Sequence, residues 1–173
     1  GAVVDVIMTE GALAFVTPLP FQTISKRPVS TRMFHLLRDT DMAHISLAER
    51  ADVLVIAPAT ANTIAKLAHG LADNLLTSTA LACVAPLVIA PAMDTDMWEH
   101  PAVQANLEIL RQRGAAIVGP GWGRLASGRM GAGRLATTEE ILASIRATLG
   151  RGGPLAGARL LVTAGGTQEP IDP

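Results

Sequence analysis

The sequence predicts an α/β sandwich built on a mainly parallel sheet. Short apolar runs alternate with longer segments of helical periodicity, as in parallel strands linked by helices. Hydrophobic residues make up 49% of the 173 residues but aromatic residues only 3%, so we expect a core of Ala, Val, Leu and Ile, which suits buried parallel strands. A chain of this length can bury most of its apolar surface without a metal or a disulfide, and we expect no metal site.

Five apolar runs are predicted to be strands, and four further segments are predicted to be helices. The predicted strands are Val3–Met8, Asp52–Ala57, Pro86–Ala90, Ala115–Val118 and Arg159–Thr163. The predicted helices are Thr60–His69, Asp73–Val84, Pro101–Arg113 and Thr137–Leu149. The last of these begins with a capping box, because Glu140 follows Thr137 by three residues.

Two glycine-rich segments interrupt this pattern. Residues 119–134 contain six glycines and no apolar periodicity, which predicts a long surface loop of the kind that is usually functional or disordered. Residues 151–157 are predicted to be a linker, because glycine and proline separate the last helix from a new strand. Residues 1–150 are therefore expected to form one domain. We also expect both ends of the chain to be cut from a longer protein.

Charge and cysteine content argue against several classes of partner. The formal net charge is −1 and the charges are scattered, which argues against nucleic-acid binding. No apolar run reaches the roughly 18 residues that a membrane span requires, so no membrane partner is expected. The single Cys83 lies in the apolar segment ALACVAP, which predicts a core position and a reducing compartment, the cytoplasm.

Polar residues after the predicted strands are the candidate ligand contacts, since ligands of open α/β sheets bind beyond the carboxyl ends of the strands. Thr9 could bind a phosphate or cap the following helix. The turn Pro58–Thr63 combines small residues with hydroxyls, which suits a helix cap or the approach of a flat or anionic ligand. Of Asp94 and Asp96, either could cap a helix or face a ligand.

Four segments resemble, in order and spacing, the flavin-dependent cysteine decarboxylases, and within that family the phosphopantothenoylcysteine decarboxylase domain of bifunctional coenzyme A biosynthesis flavoproteins. They are TEGALAFVTPLPFQTIS, MAHISLAERADVLVIAPATANTIAKLAHGLADNLL, PAMDTDMWEHPAVQANLEILRQRG and GRLASGRMGAGRL. The tail, residues 158–173, is similar to the start of the phosphopantothenate-cysteine ligase domain, which uses CTP and Mg²⁺. The resemblance also implies that a first strand and a turn precede residue 1.

The resemblance implies a Rossmann-like, flavodoxin-type three-layer sandwich that binds FMN and forms a homo-oligomer built from trimers. The implied reaction converts 4′-phosphopantothenoylcysteine into 4′-phosphopantetheine. A base assists deprotonation of the thiol while FMN takes a hydride from the adjacent carbon, and the resulting thioaldehyde accepts the electrons that decarboxylation releases. The enethiolate product then regains the hydride, together with a proton from an acid on a clamp over the substrate.

Site residues are carried over from the family by position. His44 is the implied base, Asp94 stands where an asparagine commonly helps to bind the departing carboxylate, and Ser127 stands where many members have a proton-donating cysteine. The residues implied to line the flavin pocket are Thr9, Pro58, Ala59, Thr60, Ala61, Asn62 and Thr63. The further implied substrate contacts are Met97, Gly128, Arg129 and Arg134. The two arginines contact the substrate phosphate or only solvate the loop.

Two of these positions depart from the family pattern. An ionised Asp94 would repel a substrate carboxylate, so we expect it either to be protonated or to turn to the backbone. We expect Asp94 to face the site, and Asp96 to be a helix cap or a surface charge. A serine hydroxyl is a far weaker acid than a thiol, so water or another group is expected to replace Ser127 as the final proton donor.

Two other functions fit the same residues. Decarboxylation of a C-terminal peptidyl cysteine is favoured by the absence of a cysteine at Ser127, but the ligase-like tail argues against it. A non-catalytic flavin-binding regulatory protein is the second alternative. Long acidic extensions would support it, and the sequence contains none.

Overall fold

A computed structural model describes residues 1–33 and 42–151 together with Gly153 and Ala156. Its helices and strands follow each other in the order β1 (Val6–Ile7), α1 (Glu10–Leu13), α2 (Pro18–Ser25), β2 (Val29–Ser30), α3 (Ala43–Glu49), β3 (Leu54–Ala59), α4 (Ala61–His69), α5 (Leu75–Ala82), β4 (Leu87–Pro91), α6 (Thr95–Glu99), α7 (Pro101–Gln112), β5 (Ala116–Ile117), β6 (Gly121–Arg124), β7 (Met130–Arg134) and α8 (Thr138–Gly150).

Parallel pairing dominates the strands. The strands β3, β4 and β5 form a three-stranded parallel sheet, while β1 pairs with β2 in a second parallel sheet. The remaining strands, β6 and β7, form an antiparallel hairpin. The predicted α/β fold with a mainly parallel sheet is confirmed.

The core lies where α4 and α7 pack against the central strands. Ile89 on β4, Ile64 on α4 and Leu107 on α7 have no solvent exposure. Burying an aliphatic side chain of this size contributes about 1.5–3 kcal/mol, so this cluster holds the helices firmly on β3 and β4. The turns that leave the carboxyl ends of these two strands therefore start from a rigid support.

Most predicted elements lie within two residues of the observed ones, but the first strand is shorter than expected. Only Val6–Ile7 of the predicted Val3–Met8 pairs with a neighbouring strand, and Val3 and Val4 are exposed. The capping box of α8 is confirmed, with Thr137 and Glu140 each accepting the other's backbone N–H. The predicted strand Arg159–Thr163 and residues 158–173 lie outside the described residues, as do most of residues 151–157.

The prediction of a surface loop over residues 119–134 is wrong, because this segment contains the β6–β7 hairpin. The hairpin alternates buried and exposed positions as a strand does, but glycines occupy the buried ones: Gly123, Gly131 and Gly133. Glycine has no apolar side chain, so the period of two does not show as an alternation of apolar residues.

The structure differs from the sequence predictions at two further places, Cys83 and the helix α2. Cys83 is half-buried at the end of α5 rather than in the core, and its thiol lies 3.8 Å from the carbonyl oxygen of Ala48. The helix α2 was not predicted, although its prolines are in the first turn, where no backbone N–H is needed. None of the helices in the described part of the chain has the length and apolarity to cross a membrane.

Candidate active site

The turn from β3 to α4 is open and made of small residues. The pairing of β3 with β4 shifts register between Ile56 and Ala59, and Ala57 and Pro58 inside this irregularity are exposed. Thr60 then caps α4, because its Oγ1 accepts the N–H of Thr63 at 3.2 Å. The other amides of a first helical turn have no partner within the helix, so this turn can accept an anion or the edge of a flat ligand.

Thr9 has the corresponding position after β1. Its Oγ1 accepts the backbone N–H of Ala12 at 3.2 Å and so caps the short helix α1. Of the two alternatives for Thr9, the cap is therefore present in this structure. The side chain remains partly exposed.

The turn from β4 to α6 lies directly beside the β3–α4 turn. Ala59 pairs with Pro91 across the parallel strands, and the N–H of Ala92 donates to the carbonyl of Ala59 at 3.1 Å. Asp94 is the residue that caps α6, since its Oδ1 accepts the N–H of Asp96 at 3.3 Å. Of the two alternatives for Asp96, a helix cap or a surface charge, the structure shows the surface charge, because Asp96 lies inside the first turn of α6 with an exposed side chain.

Glycines allow the hairpin to pack closely against the β4–α6 turn. The N–H of Met93 donates to the carbonyl of Gly133 at 2.9 Å, and the hydroxyl of Thr95 donates to the carbonyl of Ala132 at 2.8 Å. A Cβ atom at Gly133 would collide with the Met93 carbonyl oxygen, and one at Gly131 would collide with the Thr95 hydroxyl. The close approach of the two backbones therefore requires glycine at position 133, and the contact with the Thr95 side chain favours glycine at position 131.

The hairpin tip closes onto the two aspartates. The hydroxyl of Ser127 donates to Oδ2 of Asp94 at 2.6 Å. The guanidinium of Arg129 donates to both carboxylate oxygens of Asp96, at 2.7 and 2.8 Å, and its Nη2 is 3.4 Å from Oδ1 of Asp94. Gly128, between the two tip residues, has a φ of +84° and forms the tight turn.

These contacts fix the charges of the cluster. The hydrogen bond from Ser127, followed by the backbone N–H of Asp96 and the charge of Arg129, holds the pKa of Asp94 below its ordinary value. The hydrogen bonds from Arg129 likewise lower the pKa of Asp96. Both carboxylates are therefore ionised at neutral pH. This favours the alternative in which Asp94 turns to the backbone over the one in which it is protonated.

His44 lies apart from this cluster, in the first turn of α3. It is half-buried, and its Nδ1 is enclosed without a hydrogen-bond partner among the described residues. A buried ring nitrogen without a partner is costly, so it is a candidate contact for a ligand. In the described part of the chain no hydrogen bond joins His44 to Asp94 or to the hairpin.

The structure brings together only part of the implied substrate site. Asp94, Ser127 and Arg129 are in contact, and Met97 lies one turn further along α6 with half of its surface exposed. Arg134, at the far end of the hairpin, packs its side chain over Gly123. The bidentate pair between Arg129 and Asp96 was not anticipated, and no local spacing indicates it, because 33 residues separate the two.

A cavity of about 480 Å³ lies at the opposite edge of the sheet, near the amino ends of the central strands β3 and β4. Two of its three basic residues are already engaged. Lys66 pairs with Asp73 at 2.6 Å, and Arg113 donates to the carbonyl of Ala68 at 2.8 Å, at the end of α4. Because the chemistry-bearing residues lie at the other edge, we place the candidate site at the carboxyl ends of the strands.

Comparisons with known proteins show the family to which the chain belongs. The model of the family described as Flavoprotein matches residues 1–150. The coenzyme A biosynthesis bifunctional protein CoaBC of Bacillus subtilis (strain 168) is 47% identical over 175 residues, which cover 100% of this chain and 43% of that protein. The chain thus spans less than half the length of this curated relative.

Solved structures show the same fold. A cysteine-to-serine mutant of a PPC decarboxylase, complexed with pantothenoylaminoethenethiol, is 36% identical with a TM-score of 0.72, covering 84% of this chain and 82% of that one. The FMN-dependent cysteine decarboxylase SpaF is 38% identical with a TM-score of 0.71, covering 84% and 77%.

Proposed function

The chain belongs to the flavoprotein family, and we propose that it catalyses the FMN-dependent decarboxylation of 4′-phosphopantothenoylcysteine to 4′-phosphopantetheine, as the decarboxylase part of a bifunctional coenzyme A biosynthesis protein. The whole of this chain is similar to part of CoaBC, and this similarity supports the reaction. The structural observation that carries the proposal is the hairpin seated on the β4–α6 turn. It sets Ser127 and Arg129 against Asp94, next to the open β3–α4 turn.

The β3–α4 turn has the features that an FMN site needs. Its small residues leave room for a planar ring, and the free amides at the start of α4 favour a negatively charged group. We propose that FMN is held by Thr9, Pro58, Ala59, Thr60, Ala61, Asn62 and Thr63. Bound FMN supplies a group that accepts a hydride and later returns it.

His44 is the proposed base. Its Nδ1 has no hydrogen-bond partner among the described residues and is therefore a candidate to accept a hydrogen bond or a proton from the substrate. The helix α3 holds the ring in a partly buried place. A neutral imidazole in such a position can take the thiol proton of the substrate as the adjacent carbon is oxidised. The electrons released when carbon dioxide leaves then move onto the C=S group of the oxidised substrate.

The hairpin is the proposed clamp over the substrate. Ser127, Gly128 and Arg129 at its tip, with Met97 on α6 below, would enclose the reacting end of the substrate, while Arg134 lies at the other end of β7. The hydroxyl of Ser127 donates to a carboxylate, so it holds its proton tightly and suits positioning better than proton donation. We therefore propose water as the source of the final proton.

The alternative of a peptidyl-cysteine decarboxylase rests on Ser127. Without a strong acid at the tip, the reaction could stop at the enethiol instead of continuing to the fully reduced thiol. The two functions differ in the substrate that they accept and in their final product. The predictions about residues 158–173, CTP and Mg²⁺ concern a part of the chain outside the described residues and stay predictions.

We propose that the working form is an oligomer built from trimers. Large apolar side chains remain exposed around the first two helices and at the hairpin. Among them are Phe15, between α1 and α2, at 91%, Ile24 at 81% and Trp122 at 70% exposure. Exposed apolar side chains of this size are typical of surfaces that are covered in an assembly. Light scattering of the purified protein measures the oligomer directly.

The experiment that tests the function uses the full-length protein loaded with FMN. We expect carbon dioxide release from 4′-phosphopantothenoylcysteine and little release from a peptide that ends in cysteine. His44→Asn should abolish turnover while the flavin absorbance stays. His69→Asn is the matched control, since His69 lies on the surface of α4 beside Asn106, and it should keep full activity.

Three results would contradict the proposal. A protein that remains colourless in the presence of FMN would exclude the flavin chemistry. Preferential decarboxylation of the peptide would favour the alternative substrate, and full activity of the His44→Asn variant would exclude His44 as the base.

A further inference from the structure

We propose that Arg129 binds the carboxylate that the substrate loses, and that the side chain of Asp96 occupies the Arg129 guanidinium until the substrate arrives. The proposal rests on the proposed function and assigns one step of substrate recognition within it. It makes the cation at the hairpin tip, rather than Asp94, the group that selects for an acidic substrate.

The geometry of the Arg129–Asp96 pair is that of carboxylate recognition. Two guanidinium nitrogens of Arg129 each donate to a different oxygen of the same carboxylate, at 2.7 and 2.8 Å. This fork arrangement is the one in which arginine binds a free carboxylate most specifically. The Asp96 carboxylate therefore shows where the carboxylate of a ligand can bind.

Asp94 cannot take this role. Its carboxylate accepts hydrogen bonds from the Ser127 hydroxyl at 2.6 Å and from the Asp96 N–H at 3.3 Å, and it is ionised. A second carboxylate beside it would be repelled unless a cation stood between the two. Nη2 of Arg129, at 3.4 Å from Asp94, supplies that cation.

Asp96 is suited to being displaced. Its side chain is 74% exposed, compared with 30% for Asp94. An ion pair at such an exposed site contributes little to stability, so exchanging Asp96 for another carboxylate has a low cost. The exchange also keeps the charge and the number of hydrogen bonds on Arg129 unchanged, while Asp94 stays in place.

A phosphate fits this position less well than a carboxylate. A phosphate monoester carries close to two negative charges at neutral pH. Placing it on Arg129 would bring that charge next to the ionised Asp94 and into competition with Asp96. A singly charged, planar carboxylate brings about half of that charge next to Asp94 and matches the two-oxygen geometry that Asp96 shows.

Two ligands that cannot react separate the carboxylate from the phosphate. The first is 4′-phosphopantothenoylserine, which keeps the carboxylate but has a hydroxyl in place of the thiol. The second is the corresponding ethanolamine amide, which keeps the phosphate and lacks the carboxylate. Calorimetric titration of the FMN-loaded, full-length protein gives the dissociation constant of each ligand.

We expect Arg129→Gln to weaken binding of the serine ligand at least tenfold and to change binding of the ethanolamine ligand less than twofold. Asp96→Asn, which leaves the guanidinium free, should tighten binding of the serine ligand severalfold. Arg124→Gln is the control, because Arg124 is an exposed arginine at the end of β6 in the same hairpin. It should leave both dissociation constants unchanged.

Each other outcome overturns a defined part of the proposal. Equal weakening of both ligands by Arg129→Gln would assign the residue to the phosphate or to the hairpin fold, and no weakening would remove it from the site. Weaker binding of the serine ligand to the Asp96→Asn variant would show that Asp96 supports Arg129 instead of occupying it. If the unaltered protein binds neither ligand, the proposed function fails, and this inference fails with it.

Discussion

The two strand-to-helix turns at the carboxyl ends of β3 and β4 lie side by side but differ in what contacts their capping residues. Within the described part of the chain, the Thr60 side chain forms hydrogen bonds only with the backbone N–H and the hydroxyl of Thr63, so the first turn stays open. Asp94 caps α6 in the same way but also accepts hydrogen bonds from Ser127 and Arg129 of the hairpin. An acidic cap can serve its helix and a distant segment together, because a carboxylate has more acceptor positions than a hydroxyl.

The largest effect is expected from a change that displaces the β6–β7 hairpin from the β4–α6 turn. Gly133→Ala places a methyl group against the Met93 carbonyl, which lies on rigid backbone, and should lower the free energy of unfolding by about 3 kcal/mol and abolish decarboxylation. Gly128→Ala is the control on the same hairpin, because no atom lies within 4 Å of the added group. Its positive φ should cost about 1 kcal/mol. Chemical denaturation measures both variants, and equal losses would contradict the close seat at Gly133.

A smaller effect is expected at the open turn. Thr60→Ala removes the cap of α4 and should cost about 1 kcal/mol of folding stability. Thr137→Ala removes the cap of α8 and should cost about the same. If the open turn holds the cofactor, only Thr60→Ala weakens FMN binding in a fluorescence titration. An equal loss of FMN affinity in both variants would indicate a general effect of stability.

The smallest expected effect is a pH dependence of stability at the β4–α6 turn. The folded-state pKa of Asp94 lies below its ordinary value of 3.8, so its stabilising effect is fully present above that value and is lost as the pH falls through the lower folded pKa. Asp94→Asn should remove this acid-side loss. Hydrogen exchange of the hairpin amides, measured from neutral pH to well below the ordinary pKa of 3.8, follows it. An unchanged acid response in the variant would place the titrating group elsewhere.

Sequence reasoning placed the central elements because hydropathy and capping signals both mark them, as in the helix that begins after Thr137. It missed the hairpin, since Gly131 and Gly133 carry its buried face without any side chain. It also left open which of Asp94 and Asp96 caps the helix that follows. Both aspartates lie at the start of the same helix, and only the backbone conformation of the turn decides which of them stands outside it.

The site could be anticipated only through resemblance. The contacts of Asp94 with Ser127 and Arg129 span 33 and 35 residues of chain, so no local spacing reveals them. The family pattern placed these residues in one site, but it did not indicate the ion pair between Arg129 and Asp96. That pair depends on how far the hairpin tip reaches over α6.

The hydrogen bond from Arg113 to the end of α4 fixes that helix at the end that is far from the open turn. Arg113 follows α7 and donates a hydrogen bond to the carbonyl of Ala68. Thr60 lies at the opposite end of α4, whose nine residues make the helix about 14 Å long. This contact adds to the apolar packing between α4 and α7, so α4 is fixed at both ends of its length. The open turn therefore begins on a helix whose far end is held by a contact at the opposite edge of the sheet.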